Sequence, residues 1–576
     1  MSALFMQPHT LRANDKKGCE MQFDCVVVGS GAAAMTAAVV ARTEGLKVLL
    51  VEKSSKFGGT SARSGGVAWL PGNPYMVKSG KPDDRVQALE YLKNVTGPER
   101  VRPELHEAFY DYSSEMVQYM ESRTQVRFEA IGYPDYKPEL GGAVSGRSIG
   151  TTAFDGRQLG PWLSTLEPPM KSMCLLGGMM VDGMDIYHLM NMTRSAKSFA
   201  HASKRFFRYI ADKVTHGRGT RLTIGNALMG RLLKSAVDAG VTLWSDSPAT
   251  RLIVEKGKVV GVVVSKSGDE IQIHAPAVIL ATGGFAHDAQ LAGQYLPKPV
   301  QDQTLCVSGA SGDGLRMAMQ NGAKVGTASQ NFLGNQVYKR FDRHGNVVEQ
   351  VVYTRRDRNK PGFILVNARG QRFANEAAPY HDLTGTMVNA DQDLPVYLVC
   401  DHARLRKYGL GLLRPGPALM RPLGKYLRSG HLISADSIRG LADKLGVDVS
   451  NLEEAVQENN RYAETGQDLQ FGKGNSSFDR WQGDATVKPN PNLGPIETGP
   501  FYAVRVWPSN LGTFLGLSTD DKARVLNGED KPVQGLYACG CDMHHLLEGA
   551  YAGGGSVLGP AMTFGYIAAK HIASAR

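Results

Sequence analysis

Short apolar runs near the N-terminus predict buried strands of a parallel sheet. The segments FDCVVVG at 23–29 and LKVLLVE at 46–52 are apolar at nearly every position. Strands of a parallel sheet are covered on both faces, so continuous apolar runs are typical of them. Between the two lies AAAMTAAVVARTEG at 32–45, whose alanine-rich pattern predicts a helix that ends at Gly45. This order predicts a βαβ unit.

Further strand patterns occur much later in the chain. They are VTLWSD at 241–246, TRLIVEKGKVVGVVVS at 250–265, HAPAVILAT at 274–282 and GLYACG at 535–540, and a C-terminal helix is predicted for GPAMTFGYIAAKHIASA at 559–575. The region 331–497 differs, with FILVNARGQRFANE followed by a long helical pattern at 435–464. We interpret 331–497 as a second domain inserted into a first domain made of 21–330 and 498–576, after a flexible polar extension at 1–20.

Composition narrows the classes of function. The chain has 576 residues, of which 66 are glycine, and this suits a backbone that approaches a large cofactor closely. The net charge of +10 is compatible with nucleic acid, an anionic membrane or an acidic substrate. No basic run is interleaved with aromatic residues and no zinc-finger spacing occurs, so we expect no nucleic-acid partner.

The cysteines and the N-terminus indicate the cellular setting. The seven cysteines are scattered and form no C-x-x-C, so we expect neither a metal site nor a disulfide framework. No apolar segment has the length of a signal-peptide core or a membrane span. We therefore expect a reduced, cytoplasmic location.

A glycine-rich turn follows the first predicted strand. Gly29-Ser30-Gly31-Ala32-Ala33-Ala34 gives the pattern G-x-G-x-x-A between a strand and a helix. The first glycine permits the tight turn, and the second lets the backbone approach a pyrophosphate at the helix N-terminus. Glu52 ends the second strand, where an acidic residue binds ribose hydroxyls. Strand, helix, strand and acid together predict a dinucleotide site.

The segments after Glu52 indicate which dinucleotide is bound. The run from Lys53 to Gly66, the A-T-G-G at 281–284 and the late GLYACG resemble the cofactor contacts of the succinate dehydrogenase and fumarate reductase flavoproteins. The resemblance implies FAD, and since no histidine clearly follows the covalent-attachment pattern, we expect it to be bound without a covalent link. The cofactor-binding residues expected on this basis are Gly29, Gly31, Ala32, Ala33, Glu52, Lys53, Gly58, Gly59, Thr60, Ser61, Ser64, Gly65, Gly66, Ala249, Ala281, Thr282, Gly283, Gly540, Asp542, Ser556 and Leu558.

Three tyrosines identify a branch of this superfamily. Fumarate reductases carry N-E-x-x-x-R-D, whose arginine delivers a proton, whereas the segment 375–382 here reads N-E-A-A-P-Y-H-D, with Tyr380 at the arginine position. Tyr136 lies in P-D-Y, and Tyr551 opens Y-A-G-G-G, which differs from Y-P-G-x-G by an alanine in place of proline. These motifs resemble the 3-ketosteroid Δ1-dehydrogenases from Phe23 to about Ile572. The implied fold class is α/β, a Rossmann-like FAD-binding domain with an inserted α+β catalytic (cap) domain.

The resemblance implies desaturation of a carbon–carbon bond next to a ketone. Tyr551 and the Gly555 backbone N–H would form an oxyanion hole for the ketone oxygen. Tyr380 would remove the α-proton with help from Tyr136, and the β-hydrogen would pass as hydride to the flavin. A single tyrosine is more often a packed amphipathic side chain, so the assignment rests on the set. We expect His381 and Asp382 to cap the next helix.

Two alternatives to the dehydrogenation of a steroid stay open. A smaller cyclic ketone, such as a cyclohexanone, would be served by the same tyrosines, and a fumarate-reductase-like reductase would run the flavin in the opposite direction. An electron acceptor is required, and the sequence does not identify it.

Residues 165–215 are not explained by the resemblance. Seven methionines fall within 170–192, followed by the basic and aromatic segment SAKSFAHASKRFFRYIADKV at 195–214. Methionines line adaptable apolar pockets or fill core. The basic segment predicts either a solvated helix or an amphipathic helix in peripheral contact with an anionic membrane.

Overall fold

The computed structural model describes residues 21–81, 83–342, 344, 346–352, 357–389, 394–414 and 423–576. The predicted extension at 1–20 lies outside the described residues. Within the described residues, no helix is both long enough and apolar enough to cross a membrane.

A six-stranded sheet carries the glycine-rich turn. Its order is β20-β21-β13-β2-β3-β9, parallel except for β20 at the edge. The strands are β2 (Cys25–Val28), β3 (Val48–Val51), β9 (Thr242–Trp244), β13 (Ala277–Leu280), β20 (Arg524–Leu526) and β21 (Pro532–Ala538). Val28 pairs with both Val51 and Leu280, so the carboxyl ends of three strands align. This alignment brings Gly29, Glu52 and Ala281 to one edge, where open α/β sheets bind their ligands.

Helix α1 packs on β2 and β3 of this sheet, and the last helix of the chain packs on α1. The predicted βαβ unit is confirmed, with α1 (Ala32–Thr43) between β2 and β3, and the predicted C-terminal helix is α18 (Leu558–Ser574). Every residue of α1 from Ala32 to Ala41 is buried. The small side chains let α18 approach closely, since a Cβ at Gly565 would lie 2.6 Å from the Ala33 carbonyl oxygen.

A second sheet packs against β13 and β21 of the first. Its order is β1-β12-β11-β10, formed by β1 (Met21–Gln22), β10 (Ala249–Glu255), β11 (Lys258–Lys266) and β12 (Asp269–His274). The predicted strand 250–265 is thus a hairpin, turned by Lys256 and Gly257 with φ of +50° and +79°. Two positive φ values at the central residues are typical of a tight hairpin turn.

A third sheet builds the layer above the carboxyl edge of the first. Its order is β15-β14-β19-β17-β16, with β18 also paired to β19. The strands are β14 (Phe332–Phe341), β15 (Val347–Val352), β16 (Phe363–Val366), β17 (Val396–Asp401), β18 (Ile433–Ala435) and β19 (Phe501–Thr513). The division of the chain into domains stays a prediction, and this sheet reaches past residue 497 because β19 pairs with both β14 and β17.

Smaller elements connect these layers. A three-stranded sheet has the order β4-β6-β5 and a short ribbon pairs β7 with β8. These strands are β4 (Val67–Trp69), β5 (Phe128–Pro134), β6 (Ser145–Thr151), β7 (Phe154–Asp155) and β8 (Arg221–Leu222). The other α-helices are α2 (Gly59–Ala62), α3 (Pro74–Lys78), α4 (Arg85–Thr96), α5 (Pro103–Arg123), α6 (Gly183–Met190), α7 (Ala196–His216), α8 (Ile224–Ala239), α9 (Ala289–Tyr295), α10 (Lys298–Gln301), α11 (Asp313–Met319), α12 (Tyr380–Asn389), α13 (His402–Tyr408), α14 (Leu423–Arg428), α15 (Ile438–Leu445), α16 (Val449–Thr465) and α17 (Ser477–Gln482). Short 3₁₀ segments lie at Pro98–Arg100, Gly156–Thr165, Lys171–Met173 and Gly540–Asp542.

A buried cluster of four charges fixes the segment that leads to α12. Arg372 contacts Glu376 at 2.9 Å and Asp468 at 2.8 Å, and Lys473 lies 3.4 Å from Glu376, with all four side chains at most 1% exposed. Glu376 also accepts the Leu365 N–H of β16 at 3.0 Å. Burial opposes ionisation of Glu376, but Arg372 and Lys473 outweigh it and lower its pKa to about 2.

Glu376→Gln should lower the free energy of unfolding by about 3–5 kcal/mol, because it removes the carboxylate that the buried Lys473 contacts and leaves the buried Arg372 with Asp468 alone. Asp238→Asn, which breaks the half-exposed pair of Lys234 and Asp238, is the control and should change it by less than about 1 kcal/mol. Urea unfolding followed by circular dichroism measures both. The stabilisation by Glu376 is complete above the unfolded pKa of 4.5 and is lost as pH falls towards 2. A constant difference between wild type and Glu376→Gln across that range would contradict this.

Candidate active site

One continuous cavity runs from the carboxyl edge of the first sheet to the tyrosines. Most of the predicted cofactor-binding residues line it: Gly29, Gly31, Ala32, Ala33, Glu52, Lys53, Gly59, Thr60, Ser61, Ser64, Gly65, Gly66, Ala249, Ala281, Thr282, Gly283, Gly540 and Leu558. Tyr380, Tyr551 and Gly555 line its other end. Residues from the N-terminal part of the chain, from its C-terminal part and from the third sheet thus line one cavity.

The glycine-rich turn presents backbone at the entrance of α1. Gly29 has φ of +106°, and a Cβ there would lie 2.2 Å from the Ala281 carbonyl oxygen, so only glycine fits. The Ala32 N–H, in the first turn of α1, donates to Ser61 Oγ at 3.1 Å. A helix N-terminus flanked by small residues and backbone N–H groups suits an anionic pyrophosphate.

Glu52 occupies the position predicted for a ribose contact. Its carboxylate accepts the Ser30 hydroxyl at 2.5 Å and the Ser54 N–H at 2.8 Å, and it lines the cavity. Burial raises the pKa of Glu52, against the effect of the Ser30 hydrogen bond. A carboxylate fixed in this way at the end of a strand can accept hydrogen bonds from sugar hydroxyls.

The cavity wall that contacts the run from Lys53 to Gly66 was not predicted. It is formed by 306–313, with the sequence CVSGASGD just before and at the start of α11. Lys53 pairs with Asp313 at 2.5 Å and also bonds Ser311, while Thr60 Oγ1 accepts the Val307 N–H at 3.2 Å. The signal that could have found this wall is a run of serine and glycine before a helix.

Three predicted cofactor contacts are not among the described cavity-lining residues. The Gly58 N–H donates to Ser30 Oγ at 3.0 Å, and Ser556 Oγ bonds the carbonyl of Gly553 at 2.8 Å. Asp542 accepts the Thr282 N–H at 2.5 Å and the Gly284 N–H at 3.1 Å, and burial raises its pKa. Their direct contact with the cofactor stays a prediction. In the structure each of the three supports a loop of the wall.

These features fit FAD. Gly29 and the N-terminus of α1 suit the pyrophosphate, Glu52 suits a ribose, and the cavity is long enough to continue to the tyrosines. No histidine is among the described lining residues. Binding without a covalent link stays a prediction.

The three predicted tyrosines lie together although they come from distant parts of the chain. Tyr136 follows β5, Tyr380 begins α12, and Tyr551 lies in the loop before α18. The ring centroids are separated by 6.0 Å for Tyr136 and Tyr380, 5.7 Å for Tyr136 and Tyr551, and 5.6 Å for Tyr380 and Tyr551. Leu333, Phe478 and Phe514 pack around them. Tyr136 is 2% exposed and stands behind the other two rings.

Gly555 and Tyr551 place two hydrogen-bonding groups side by side. The Gly555 N–H lies 3.4 Å from Tyr551 Oη. Gly555 has φ of +100°, and a Cβ there would lie 2.4 Å from the Val67 carbonyl oxygen, so the turn requires glycine. An N–H and a phenol hydroxyl at this spacing can both bond one carbonyl oxygen in the cavity.

The prediction that His381 and Asp382 cap the next helix is wrong, because α12 begins at Tyr380 and both residues belong to its first turn. His381 Nδ1 accepts the Gly334 N–H at 3.1 Å, and Nε2 lies 2.9 Å from the Gly549 carbonyl. Burial lowers the pKa of His381, so the neutral ring with its proton on Nε2 satisfies both contacts. Asp382 pairs with Lys137 at 2.6 Å. Both residues join α12 to neighbouring segments of the tyrosine site.

Comparisons with known proteins agree with the geometry. The FAD binding domain family model matches residues 24–558. A 4-oxocyclohex-2-ene-1-carboxylate 5-dehydrogenase of Sinomonas cyclohexanicum is 35% identical, covering 98% of this chain and 95% of that protein. A 3-oxosteroid 1-dehydrogenase of Mycolicibacterium smegmatis is also 35% identical, covering 96% and 97%.

A solved structure gives the same result. The 3-ketosteroid Δ1-dehydrogenase of Sterolibacterium denitrificans, in complex with 1,4-androstadiene-3,17-dione, superposes with a TM-score of 0.88 at 35% identity, covering 96% of this chain and all of that one. The predicted α/β fold class, the FAD cofactor and the resemblance based on the tyrosine motifs are confirmed. The chain therefore belongs to the 3-oxosteroid 1-dehydrogenase family of FAD-dependent oxidoreductases that act on CH–CH groups.

Proposed function

We propose that this protein desaturates an uncharged, apolar cyclic ketone, most specifically by Δ1-dehydrogenation of a 3-oxosteroid. Identity does not separate the substrate classes, since a relative named for an oxocyclohexene carboxylate and one named for a 3-oxosteroid are equally similar. The chemistry of the cavity carries the proposal instead.

The cavity has one charged end and one uncharged end. Its charged lining residues belong to the nucleotide-binding loops or contact them, and they are Glu52, Lys53, Lys56, Arg63, Glu167 and Asp313. Around Tyr380 and Tyr551 the described lining is Leu333, Leu511, Gly512, Gly554, Gly555 and Val557, with no charged side chain. A bound carboxylate needs a cation or several donors there, because an uncompensated buried charge is costly. The uncharged end therefore favours a neutral ketone over a ketoacid or a dicarboxylate.

The roles of the site residues follow if the ketone lies at the uncharged end of the cavity. Tyr551 O–H and the Gly555 N–H would donate to the ketone oxygen and stabilise the negative charge that develops on it. Tyr380, as the phenolate, would accept the α-proton, and Tyr136, packed against both other rings, would stabilise that phenolate before the transfer. FAD, when bound, supplies the redox chemistry by accepting the β-hydrogen as hydride. An external electron acceptor, still unidentified, would complete the cycle.

We further propose that residues 165–215 contact an anionic membrane surface peripherally. Helix α7 is amphipathic, but most of its large apolar side chains face outward. Asp212 and Tyr209 are buried on its inner face, while Phe207 is 69% exposed and Val214 81% exposed. The exposed apolar side chains of this region are Leu176, Met184, Tyr187, Met190, Phe199, Phe206, Phe207, Ile210 and Val214. Exposed cations accompany them at Lys171, Arg194, Lys197, Lys204 and Lys213.

The composition of this surface favours contact with a bilayer over contact with water alone. Aromatic and aliphatic groups can enter the acyl boundary while lysines meet anionic headgroups, which is the usual composition of an interfacial helix. Contact with lipid would also deliver a poorly water-soluble ketone. The cytoplasmic setting remains part of the proposal and is supported by the free thiols of all six described cysteines.

The substrate class is tested by mixing oxidised holoenzyme anaerobically with one ketone at a time. A 3-oxosteroid should bleach the flavin absorbance fast, whereas 4-oxocyclohexanecarboxylate and succinate should bleach it at least about 100-fold more slowly, because the uncharged end cannot stabilise a carboxylate. Stopped-flow absorbance measures each rate. Faster bleaching by the ketoacid would exclude the steroid assignment, and bleaching by succinate alone would exclude ketone desaturation.

The proposed base is tested by Tyr380→Phe. Reduction of the flavin by the 3-oxosteroid should slow by about 10²–10⁴-fold, the usual contribution of a general base, while the bound flavin spectrum is retained. Tyr397→Phe is the control, because Tyr397 does not line the cavity and its hydroxyl bonds the Leu445 carbonyl in the third-sheet layer. Comparable rates for both variants would remove Tyr380 from the mechanism.

The membrane contact is tested by replacing Phe199, Phe206 and Phe207 together with serine. Co-sedimentation with vesicles of phosphatidylcholine and phosphatidylglycerol should fall by about tenfold or more, since each buried aromatic ring contributes a substantial transfer free energy. The control replaces exposed apolar residues elsewhere, Val86, Val347 and Leu469, with serine. Equal sedimentation of the triple variant and wild type, or none by wild type, would contradict the proposal.

A further inference from the structure

A fully buried ion network lies directly behind the tyrosine site. Arg147, with no exposed side-chain surface, forms a bidentate pair with Asp83 at 2.8 Å for both contacts and bonds Asp135 at 2.6 Å. The rings of Tyr91 and Trp69 lie over its guanidinium, with centroids 5.1 Å and 5.8 Å away. None of these five residues lines the described cavity, so the network does not contact a bound ketone.

Asp135 connects this network to both halves of the site. It precedes Tyr136 in the chain, and its carboxylate accepts three N–H groups, from Arg147, from Val144 at 3.1 Å and from Trp69 Nε1 at 2.8 Å. Trp69 in turn donates its backbone N–H to the Gly555 carbonyl at 3.1 Å. The Asp135 carboxylate is therefore adjacent to Tyr136 on one side and connected through Trp69 to the loop 551–555 on the other.

Tyr91 makes a second connection between the same two segments. Its hydroxyl donates to the Ala552 carbonyl at 2.7 Å and accepts the Lys137 N–H at 3.2 Å. The Ala552 carbonyl also accepts the Tyr136 N–H at 2.9 Å. The segment 135–137 and the loop 551–555 are thus joined through the aromatic ring that covers Arg147.

Stability does not account for a network of this kind. Burying one cation and two carboxylates costs solvation that their attraction only partly offsets, and apolar residues of similar volume often stabilise a fold as well or better. Burial raises the pKa of Asp135 to about 6 even against Arg147, so the desolvation is substantial. What apolar residues could not supply is three fixed N–H contacts on a single carboxylate.

We propose that Asp135 and Arg147, acting through Trp69 and Tyr91, are positioning residues that set the location of Tyr136 relative to Tyr551 and Gly555. The inference rests on the proposed function, in which these three groups act on one ketone. An enolate oxygen held by two donors and a proton acceptor beside it tolerates little displacement, because about 1 Å of misplacement can cost about 100-fold in rate. The network acts on the chemical step and not on the affinity for the ketone in its ground state.

The mildest tests are Trp69→Phe, which removes one donor to Asp135, and Tyr91→Phe, which removes one hydroxyl. Asp135→Asn is stronger, because an amide offers one acceptor oxygen where three donors converge. We expect the rate of flavin reduction by a 3-oxosteroid to fall about 10–100-fold in Asp135→Asn and about three- to tenfold in the other two, with the concentration for half-maximal rate changed by less than about twofold.

Two readouts distinguish positioning from a general loss of structure. With substrate deuterated at the α-carbon, the isotope effect should rise in the variants, because misplaced groups slow proton removal selectively. A steroid with a phenolic A ring, whose oxygen mimics the enolate oxygen, should bind about tenfold more weakly by perturbation of the flavin spectrum. A purely structural defect would lower the active fraction and leave both values as in wild type.

Asp357→Asn is the matched control. Asp357 is likewise a buried carboxylate with three donors, from Tyr338 at 2.8 Å, Gly411 at 3.0 Å and the Arg358 N–H at 3.0 Å, but none belongs to the tyrosine site. The isotope effect of the Asp357→Asn variant and its affinity for the steroid with a phenolic A ring should equal those of wild type. If Asp135→Asn does not fold, Trp69→Phe and Tyr91→Phe decide the matter.

The possible failures can be told apart. Wild-type isotope effects and phenol affinity in both Trp69→Phe and Tyr91→Phe, with Tyr380→Phe inactive, would overturn the positioning role alone. A fully active Tyr380→Phe, or no flavin reduction by any cyclic ketone, would overturn the proposed function and with it this inference.

Discussion

The site depends on backbone packed directly against backbone where the loop 551–555 and the start of α18 cross β4. A Cβ at Gly555 would lie 2.4 Å from the Val67 carbonyl oxygen, and one at Gly559 would lie 1.9 Å from that of Trp69. Any side chain at either position would push the two segments apart. This contact joins residues almost 500 positions apart in the chain. It holds the Gly555 N–H beside Tyr551 Oη in the cavity lining, and it places α18 against α1 beside the glycine-rich turn.

The same crossing explains why one cavity has two chemically different ends. At the carboxyl edge of the first sheet, the strands end in loops whose backbone and charges suit phosphates and sugars. Beyond the crossing, the wall is supplied by β14, β19 and the loop before α18, whose inward residues are apolar apart from tyrosine hydroxyls. A hydride acceptor and a ketone can therefore meet at the boundary of a polar and an apolar compartment. Low polarity there strengthens every hydrogen bond to a developing oxyanion.

The features predictable from sequence were those encoded locally. Continuous apolar runs sufficed for β2 and β3, and a glycine pattern between them sufficed for the turn at Gly29. Tyr136, Tyr380 and Tyr551 could be predicted because each sits in its own short motif, although nothing local says that the motifs meet, and their catalytic roles stay a prediction. The pairing of Lys53 with Asp313, and the contact of Asp135 with Arg147 and Trp69, depend on tertiary structure and left no periodic signal. His381 was misread for the same reason, since its partners Gly334 and Gly549 lie far from it in sequence.

Helix α7 shows how far an amphipathic pattern can be interpreted without a structure. Period and composition predict one apolar and one polar face, and the usual inference places the apolar face inward. Here the polar face packs inward, because Asp185 on α6 draws His201 and Arg205 of α7 into contacts of 2.8 Å and 2.9 Å. With those charges paired against α6, Phe199, Phe206 and Phe207 face outward, while Tyr209 is buried. An exposed apolar face opposite an ion network centred on the buried Asp185 is what the proposed contact with lipid requires.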